Sequence, residues 1–207
     1  MFRTVADTAR AEIEIKKSRF LAVVARAQSE EEARAVIAAA RSDNRAARHY
    51  CSAILVGDGV ENRTVRSSDD GEPSGTAGMP MLEVLTGREL TNVVAVVTRW
   101  FGGIKLGTGG LARAYSGAVA EALQHARFLR RERRELVRVD LDHSDLGRIE
   151  SDMRGRGVEI VSIEYHAHAV LTMAVADPDA IFASLAGLTA GNAKPRLVGT
   201  TYVEIPE

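Results

Sequence analysis

The chain has 207 residues, 45% of them hydrophobic and 27% charged, the composition of an ordinary soluble globular protein with room for one large or two small domains. No run approaches the roughly 18 apolar residues of a membrane span, and the first ten residues hold Arg3, Asp7 and Arg10 where a signal peptide needs an apolar core, so no membrane partner is expected and the cytoplasm is the expected compartment. The single cysteine, Cys51, excludes an intramolecular disulfide framework. The net charge of −1 conceals an asymmetry: residues 1–134 hold 21 Lys/Arg against 16 Asp/Glu, a net +5, whereas residues 135–207 hold 6 against 12, a net −6. A basic first domain and an acidic second one are therefore expected, with the boundary near residue 134.

Taken in chain order, Arg19–Ala25 reads as a strand. Ser29 followed three residues later by Glu32 has the capping-box pattern, and Ala33, Val36, Ile37 and Ala40 then mark the core face of a helix to about Arg41. Tyr50–Val56 reads as a strand, Gly57–Gly59 as a turn and Arg63–Ser67 as a short strand. Ser68–Met79 (SDDGEPSGTAGM) is turn-rich and has no periodicity, after which Pro80 suits the first position of a helix. Val93–Thr98 is nearly continuous in β-branched residues, as expected of a strand covered on both faces. A glycine-rich loop follows, and then Leu111, Tyr115, Ala118, Val119, Ala122 and Ala126 mark a long amphipathic helix. Arg127–Arg134 (RFLRRERR) reads as a solvated helix end and linker, since cations favour a helix C-terminus.

From Leu136 the pattern changes. Leu136–Leu141 reads as a strand and Ser144–Arg154 as a helix with Ser144 as its cap. Val158–Val175 is too long for one strand and must fold back as two. Asp177-Pro178 opens another helix, and Arg196–Ile205 is a closing strand. The order β-α-β-β-α-β is that of a split-βαβ, ferredoxin-like domain. The fold class expected is α+β with two domains, 1–134 and 135–207.

The most informative stretch is Val93–Tyr115, VVAVVTRWFGGIKLGTGGLARAY. Gly102, Gly103, Gly107, Gly109 and Gly110 fall within nine residues, with Lys105 among them and Arg99 and Arg113 at the flanks. Glycines at a helix start allow positive φ or close backbone approach, and free N–H groups converge there on an anion; tight packing alone explains them equally well. Arg113 sits in the helix's first turn, where the macrodipole disfavours a cation. Two nucleotide motifs fail. After Gly102 and Gly107 come Thr108 and Gly109 instead of Lys-Ser/Thr, and no parallel strand with a ribose-binding acid follows Gly107–Ala112.

RWFGGIKLGTGGLARAY, preceded by SDDGEPSGTAGMP and by HYCSA, resembles the YigZ/IMPACT family, and the resemblance covers nearly the whole chain. It implies a first domain of the ribosomal-protein-like βαβ sandwich kind, with the fold of domain IV of elongation factor G, and a ferredoxin-like second domain. It also implies a translation-associated regulatory role, since IMPACT proteins of eukaryotes act in translational control. The partners it points to are RNA, the ribosome or a protein. The site it places on this chain comprises Arg99, Gly102, Gly103, Lys105, Gly107, Gly109, Gly110 and Arg113, supported by the loop residues Asp69, Asp70, Glu72, Ser74 and Thr76.

Each of these residues has a structural reading beside the functional one. Arg99 and Phe101 would share one face of an extended strand, a cation beside a ring, while Trp100 is expected in the core. Asp69, Asp70 and Glu72 could serve a metal-dependent hydrolase, the alternative function, or could pair with Arg99 or Arg113 and hold two loops together, which is the favoured reading. Ser74, Thr76 and the Gly75–Gly78 backbone form a second candidate anion nest. His49 and Cys51 share a strand face, but core packing is the better reading for the thiol. His166 and His168 read as incidental strand residues. No metal spacing and no nucleophile–base pair with an orienting third group is evident, so neither cofactor nor metal is expected, and a binding protein is favoured over an enzyme.

Overall fold

The structure, a computed structural model, describes residues 2–57 and 63–207. The turn expected at Gly57–Gly59 runs outside the described residues from residue 58. The chain divides into two compact units. One comprises residues 1–131 with 204–207, and the other residues 132–203.

The first unit is built on a five-stranded antiparallel sheet. Its strands are β2 (Ala9–Ile15), β3 (Ser18–Arg26), β6 (Val93–Trp100), β4 (His49–Val56) and β5 (Thr64–Ser68), in that spatial order. Alternation decides which face each residue serves. On β6, Val93, Ala95 and Val97 pack with Leu82 and Leu85 of α2 (Gly78–Gly87) and with Leu111, Tyr115, Ala118 and Ala122 of α3 (Thr108–Gln124). Val94 and Val96 turn to the other face, against Ala33 and Ala40 of α1 (Glu30–Asp43). The central strand is thus covered on both faces, as its composition leads one to expect. Ser29 caps α1, its Oγ accepting from Glu32 N–H at 3.1 Å, and the Glu32 carboxylate reaches back one residue further than in a strict capping box, to Gln28 N–H at 2.7 Å.

In the second unit the order is β7 (Phe128–Leu141), α4 (His143–Gly155), β8 (Glu159–Tyr165), β9 (Ala169–Val175), α5 (Pro178–Leu188) and β10 (Arg196–Pro206). The strands lie in the order β10-β7-β9-β8, and Val137, Val139, Leu171 and Met173 face Ile149, Met153 and Leu185 of the helices. The segment 158–175 folds back as two antiparallel strands. Asp177 caps α5 through Ala180 N–H, with Pro178 in the first turn.

Several expectations are corrected. Arg127–Arg134 is neither helix end nor linker. The preceding helix stops at Gln124, and β7 runs from Phe128, its first residues pairing with β1 (Phe2–Val5) from Phe2↔Arg131 to Val5↔Phe128. Five arginines in eight residues obscure a strand, yet carboxylates on and off that strand take up their charge: Arg127 pairs with Asp7, Arg131 lies 3.6 Å from Glu204, and Arg134 lies 2.5 Å from Glu132 of β7 itself. The closing strand is present as β10 paired with β7, while Glu204–Glu207 group with the first unit through Arg26–Glu204 at 2.7 Å and Arg3–Glu207 at 2.5 Å. Pro80 is the third residue of its helix, which starts at Gly78, and the N-cap of α4 is Asp142, not Ser144.

Candidate functional site

Three carboxylates in four residues each take a different task. Asp69 is a helix cap placed nine residues upstream of its helix. Its carboxylate accepts from the N–H groups of Gly75 (2.8 Å), Ala77 (2.9 Å) and Gly78 (2.8 Å). Desolvation pushes its carboxyl up, but the three backbone donors outweigh it and hold the group below the usual carboxylate range. The nest expected at Gly75–Gly78 is therefore filled by the chain's own anion. Asp70 accepts from Tyr50 N–H at 2.7 Å and pairs with Arg41. It sits at φ 43 beside Gly71 at φ 87, the tight turn that Asp-Asp-Gly suggests.

Glu72 pairs with Arg99, not Asp69 or Asp70. Its Oε1 lies 2.6 Å from the Arg99 guanidinium and also accepts from the Tyr115 hydroxyl at 2.7 Å. The two side chains are only 4% and 6% exposed, so this is a buried ion pair. Alternation explains it: Arg99 continues the Val93-Ala95-Val97 face of β6 beneath the helix layer, where a guanidinium needs a carboxylate. The Arg99 guanidinium also lies 5.3 Å from the Phe20 ring and 5.6 Å from the Phe101 ring. The loops 67–80 and 99–113 thus meet as expected, through Glu72 and Arg99; Arg113 takes no part in the junction.

Among the described residues no three His, Cys, Asp or Glu side chains stand together as a metal would need. His49 and Cys51 make separate bonds to the acid loop. His49 Nδ1 lies 2.9 Å from the Asp70 carbonyl, and the Cys51 thiol donates to the Asp69 carbonyl at 2.9 Å. Burial pushes the thiol up to about 12, the opposite of an activated nucleophile. Burial also raises the Tyr115 hydroxyl, which keeps it a proton donor to Glu72. Thr76 donates to the Pro73 carbonyl at 2.6 Å and shapes the loop, while Ser74 is exposed.

The glycines divide by cause. A Cβ on Gly102 would stand 2.0 Å from the Lys17 carbonyl carbon and 2.4 Å from Ser18 N, so only glycine fits. Ser18 Oγ accepts the Gly102 N–H at 3.1 Å and reaches the Arg99 guanidinium at 3.5 Å. Gly103 and Gly107 hold φ of 84 and 71, the left-handed region. Gly110 is tight against Leu106 at 3.1 Å, and Gly109 meets only the tip of Arg113 at 3.7 Å.

What remains open is the N-terminus of α3. Gly107 is its N-cap and provides no side-chain bond, so the N–H groups of Thr108–Gly110 have no intrahelical partner. Gly107 and Thr108, at this helix start, line a cleft of about 380 Å3. Pro73, Leu106, Leu111 and Phe101 form apolar walls, the Arg99–Glu72 pair the floor, and Lys105 the rim. Phe101 is 51% exposed and Ile104 42%. Lys105 and Arg113 are exposed and make no ion pair among the described residues. The Gly102 contact also brings the exposed Lys16–Lys17 turn beside this loop, across 85 positions of sequence. Trp100 is partly exposed, not core, with the Arg19 guanidinium 4.7 Å from its ring. Ser18, Tyr115 and the lysine turn escape a reading by spacing. Only Tyr115 carries a local signal, a hydroxyl on the apolar face of a helix that must find a buried partner.

The Impact N-terminal domain family matches residues 16–123, which takes in the acid loop, Arg99 and the whole glycine loop. The IMPACT family member YvyE of Bacillus subtilis is 43% identical over 162 residues, 78% of this chain and 74% of its own length. The IMPACT family member YigZ of Escherichia coli is 38% identical over 162 residues, 78% of this chain and 79% of its own. Among solved structures, the crystal structure of a hypothetical protein, 34% identical, covers 95% of this chain and 97% of its own with a TM-score of 0.75. On a domain match over more than half its length and relatives aligned over more than three-quarters of it, this chain belongs to the IMPACT family.

Proposed function

We propose that the first unit binds RNA or an RNA-bearing ribosomal surface in a translation-associated role, through the open N-terminus of α3 and the cations around it. One contrast carries this reading. Two helices of the unit begin in glycine-rich loops; α2 is capped by Asp69, while among the described residues α3 has no side-chain cap and the nearby Lys105 and Arg113 make no ion pair. Unfilled N–H groups, the positive end of a helix dipole and free Lys/Arg together suit a phosphate. The net +5 of residues 1–134 agrees with it. The family resemblance, whose eukaryotic members act in translational control, supplies the translational context. The strand order β10-β7-β9-β8 supports reading the second unit as ferredoxin-like, and the helix-covered antiparallel sheet supports a ribosomal-protein-like first unit.

A hydrolase reading finds no such support, because Asp69, Asp70 and Glu72 are each committed to structural bonds. The test is a salt titration of RNA binding by fluorescence anisotropy. Binding should weaken log-linearly with salt, and Lys105→Ala and Arg113→Ala should each flatten the slope by about one unit on duplex RNA. Salt-independent binding, or no RNA affinity at low salt, refutes the reading.

A further inference from the structure

The cleft beside α3 has features that a phosphate site does not use. A site for backbone phosphate needs donors and cations, yet three walls here are apolar and one is a half-exposed aromatic ring. The floor is asymmetric too. Both hydrogen bonds to Glu72, from Arg99 and from Tyr115, fall on Oε1. Oε2 receives none from the described residues, although the side chain is 96% buried and lines the cleft. That oxygen keeps access to solvent at the cleft and has no donor among the described residues, so it is free to accept an N–H or O–H from whatever enters. The Phe101 ring has the Arg99 guanidinium on one side, which leaves its outward side for stacking.

We infer that the cleft receives one unpaired nucleobase, stacked on Phe101 and donating an N–H to Glu72 Oε2, while its phosphate lies on the Thr108–Gly110 N–H groups and Lys105. The volume of about 380 Å3 is at the lower end for a small-molecule site and suits one ring system. A base within a duplex has both faces stacked and its pairing edge occupied, so a pocket that takes a face and an N–H edge selects single-stranded RNA. Selection among the bases is modest, since each offers a π-face and an N–H. This inference rests on the proposed RNA binding and specifies which form of RNA the site takes.

The experiment compares a short unstructured RNA strand with the same strand annealed to its complement, at one low salt concentration, for the full chain and three variants. Phe101 is exposed, so Phe101→Leu leaves the fold intact, which an unchanged melting temperature verifies. Phe101→Leu should weaken the single strand about tenfold, as loss of one stacking contact does, and leave the duplex unchanged. Lys105→Ala and Arg113→Ala should weaken both. A strand carrying one 2-aminopurine should be quenched on binding the native chain and less so on binding Phe101→Leu. Phe101→Leu without effect on either RNA, or with equal effect on both, overturns the base pocket, while losses in the two cation variants would leave phosphate binding standing. If the native chain binds neither RNA, both proposals fall.

Discussion

Glu72→Leu tests whether the glycine loop is anchored by a buried charge. The change removes one partner of an ion pair whose side chains are 4% and 6% exposed. Arg99 cannot shed its proton, so its charge stays buried and unmatched, which costs about 3–5 kcal/mol. The Tyr115 hydroxyl loses its 2.7 Å acceptor as well, a penalty of about 1–3 kcal/mol that overlaps the first. Replacing all three polar groups, as in Glu72→Leu/Arg99→Met/Tyr115→Phe, removes the unmatched groups together and should cost less than Glu72→Leu alone. Ser18 keeps its bond to Gly102 N–H in that variant, so no new orphan arises there. The control is Arg34→Ala, which breaks an i,i+4 pair with Glu30 whose arginine is 72% exposed and should cost about 0.5 kcal/mol. The assay is urea unfolding followed by fluorescence of Trp100, the chain's one tryptophan, which reports the first unit without assuming that both units unfold together. A loss below about 1 kcal/mol for Glu72→Leu, or a triple variant less stable than the single one, refutes the reasoning.

Gly102→Ala should abolish folding or sharply lower the melting temperature, since its Cβ would stand 2.0 Å from backbone, whereas Gly109→Ala should be neutral or stabilise α3 by about 0.5 kcal/mol, both read by thermal melts. Asp69→Ala should cost about 1–2 kcal/mol as a lost cap, read by urea unfolding at neutral pH. The Asp69 carboxyl is held low in the folded chain, so its contribution is whole above the unfolded carboxylate pKa near ~3.9 and lost as pH falls through the folded value; a melt series below about pH 4 should show a smaller acid dependence in Asp69→Asn. Cys51 should resist iodoacetamide at pH 8, and rapid labelling of folded protein would contradict its burial. Its thiol is raised from 9.0 to about 12, so its contribution to stability is complete below pH 9 and disappears as pH rises towards 12; Cys51→Ala should shallow the alkaline loss over that window.

Much of the fold could be read from local pattern because local pattern caused it. The alternation of β6, the Ser29–Glu32 cap and the Asp177-Pro178 start all act within a few residues, and all stand as expected. What escaped was settled over long distances. The start of α2 depends on a carboxylate nine residues away, so Pro80 misplaces it. Gly102 is explained by Lys17, and the Arg99 partner by a loop 27 positions upstream. The misreading of Arg127–Arg134 has another cause. A block of like charge resembles a solvated helix end, but strand alternation sends successive arginines to opposite sides, and pairing with β1 absorbs the backbone. β2 is absent from the strands expected of the sequence: Ala9, Ala11, Ile13 and Ile15 alternate with Arg10, Glu12 and Glu14, but small apolar positions among charges give the pattern little weight.

The two glycine-rich loops use one device, converging backbone N–H groups at a helix start, for opposite ends. At α2 the device is closed: Asp69 supplies the anion, and its three bonds fix the loop from which Glu72 reaches Arg99. At α3 it is open, and everything that steadies the opening is itself closed. Glu72 and Tyr115 hold Arg99, Arg99 lies beside Phe101, and Ser18 pins Gly102. An open N-terminus on a mobile loop would lose ordering entropy with each ligand it met, whereas one braced by a buried ion pair binds without that cost. The acid loop therefore acts first as the rigid support of the proposed site, and only Glu72 Oε2 of its carboxylates is placed to touch a bound base. Changes in it should alter stability first, and changes at Phe101, Lys105 and Arg113 should alter binding alone.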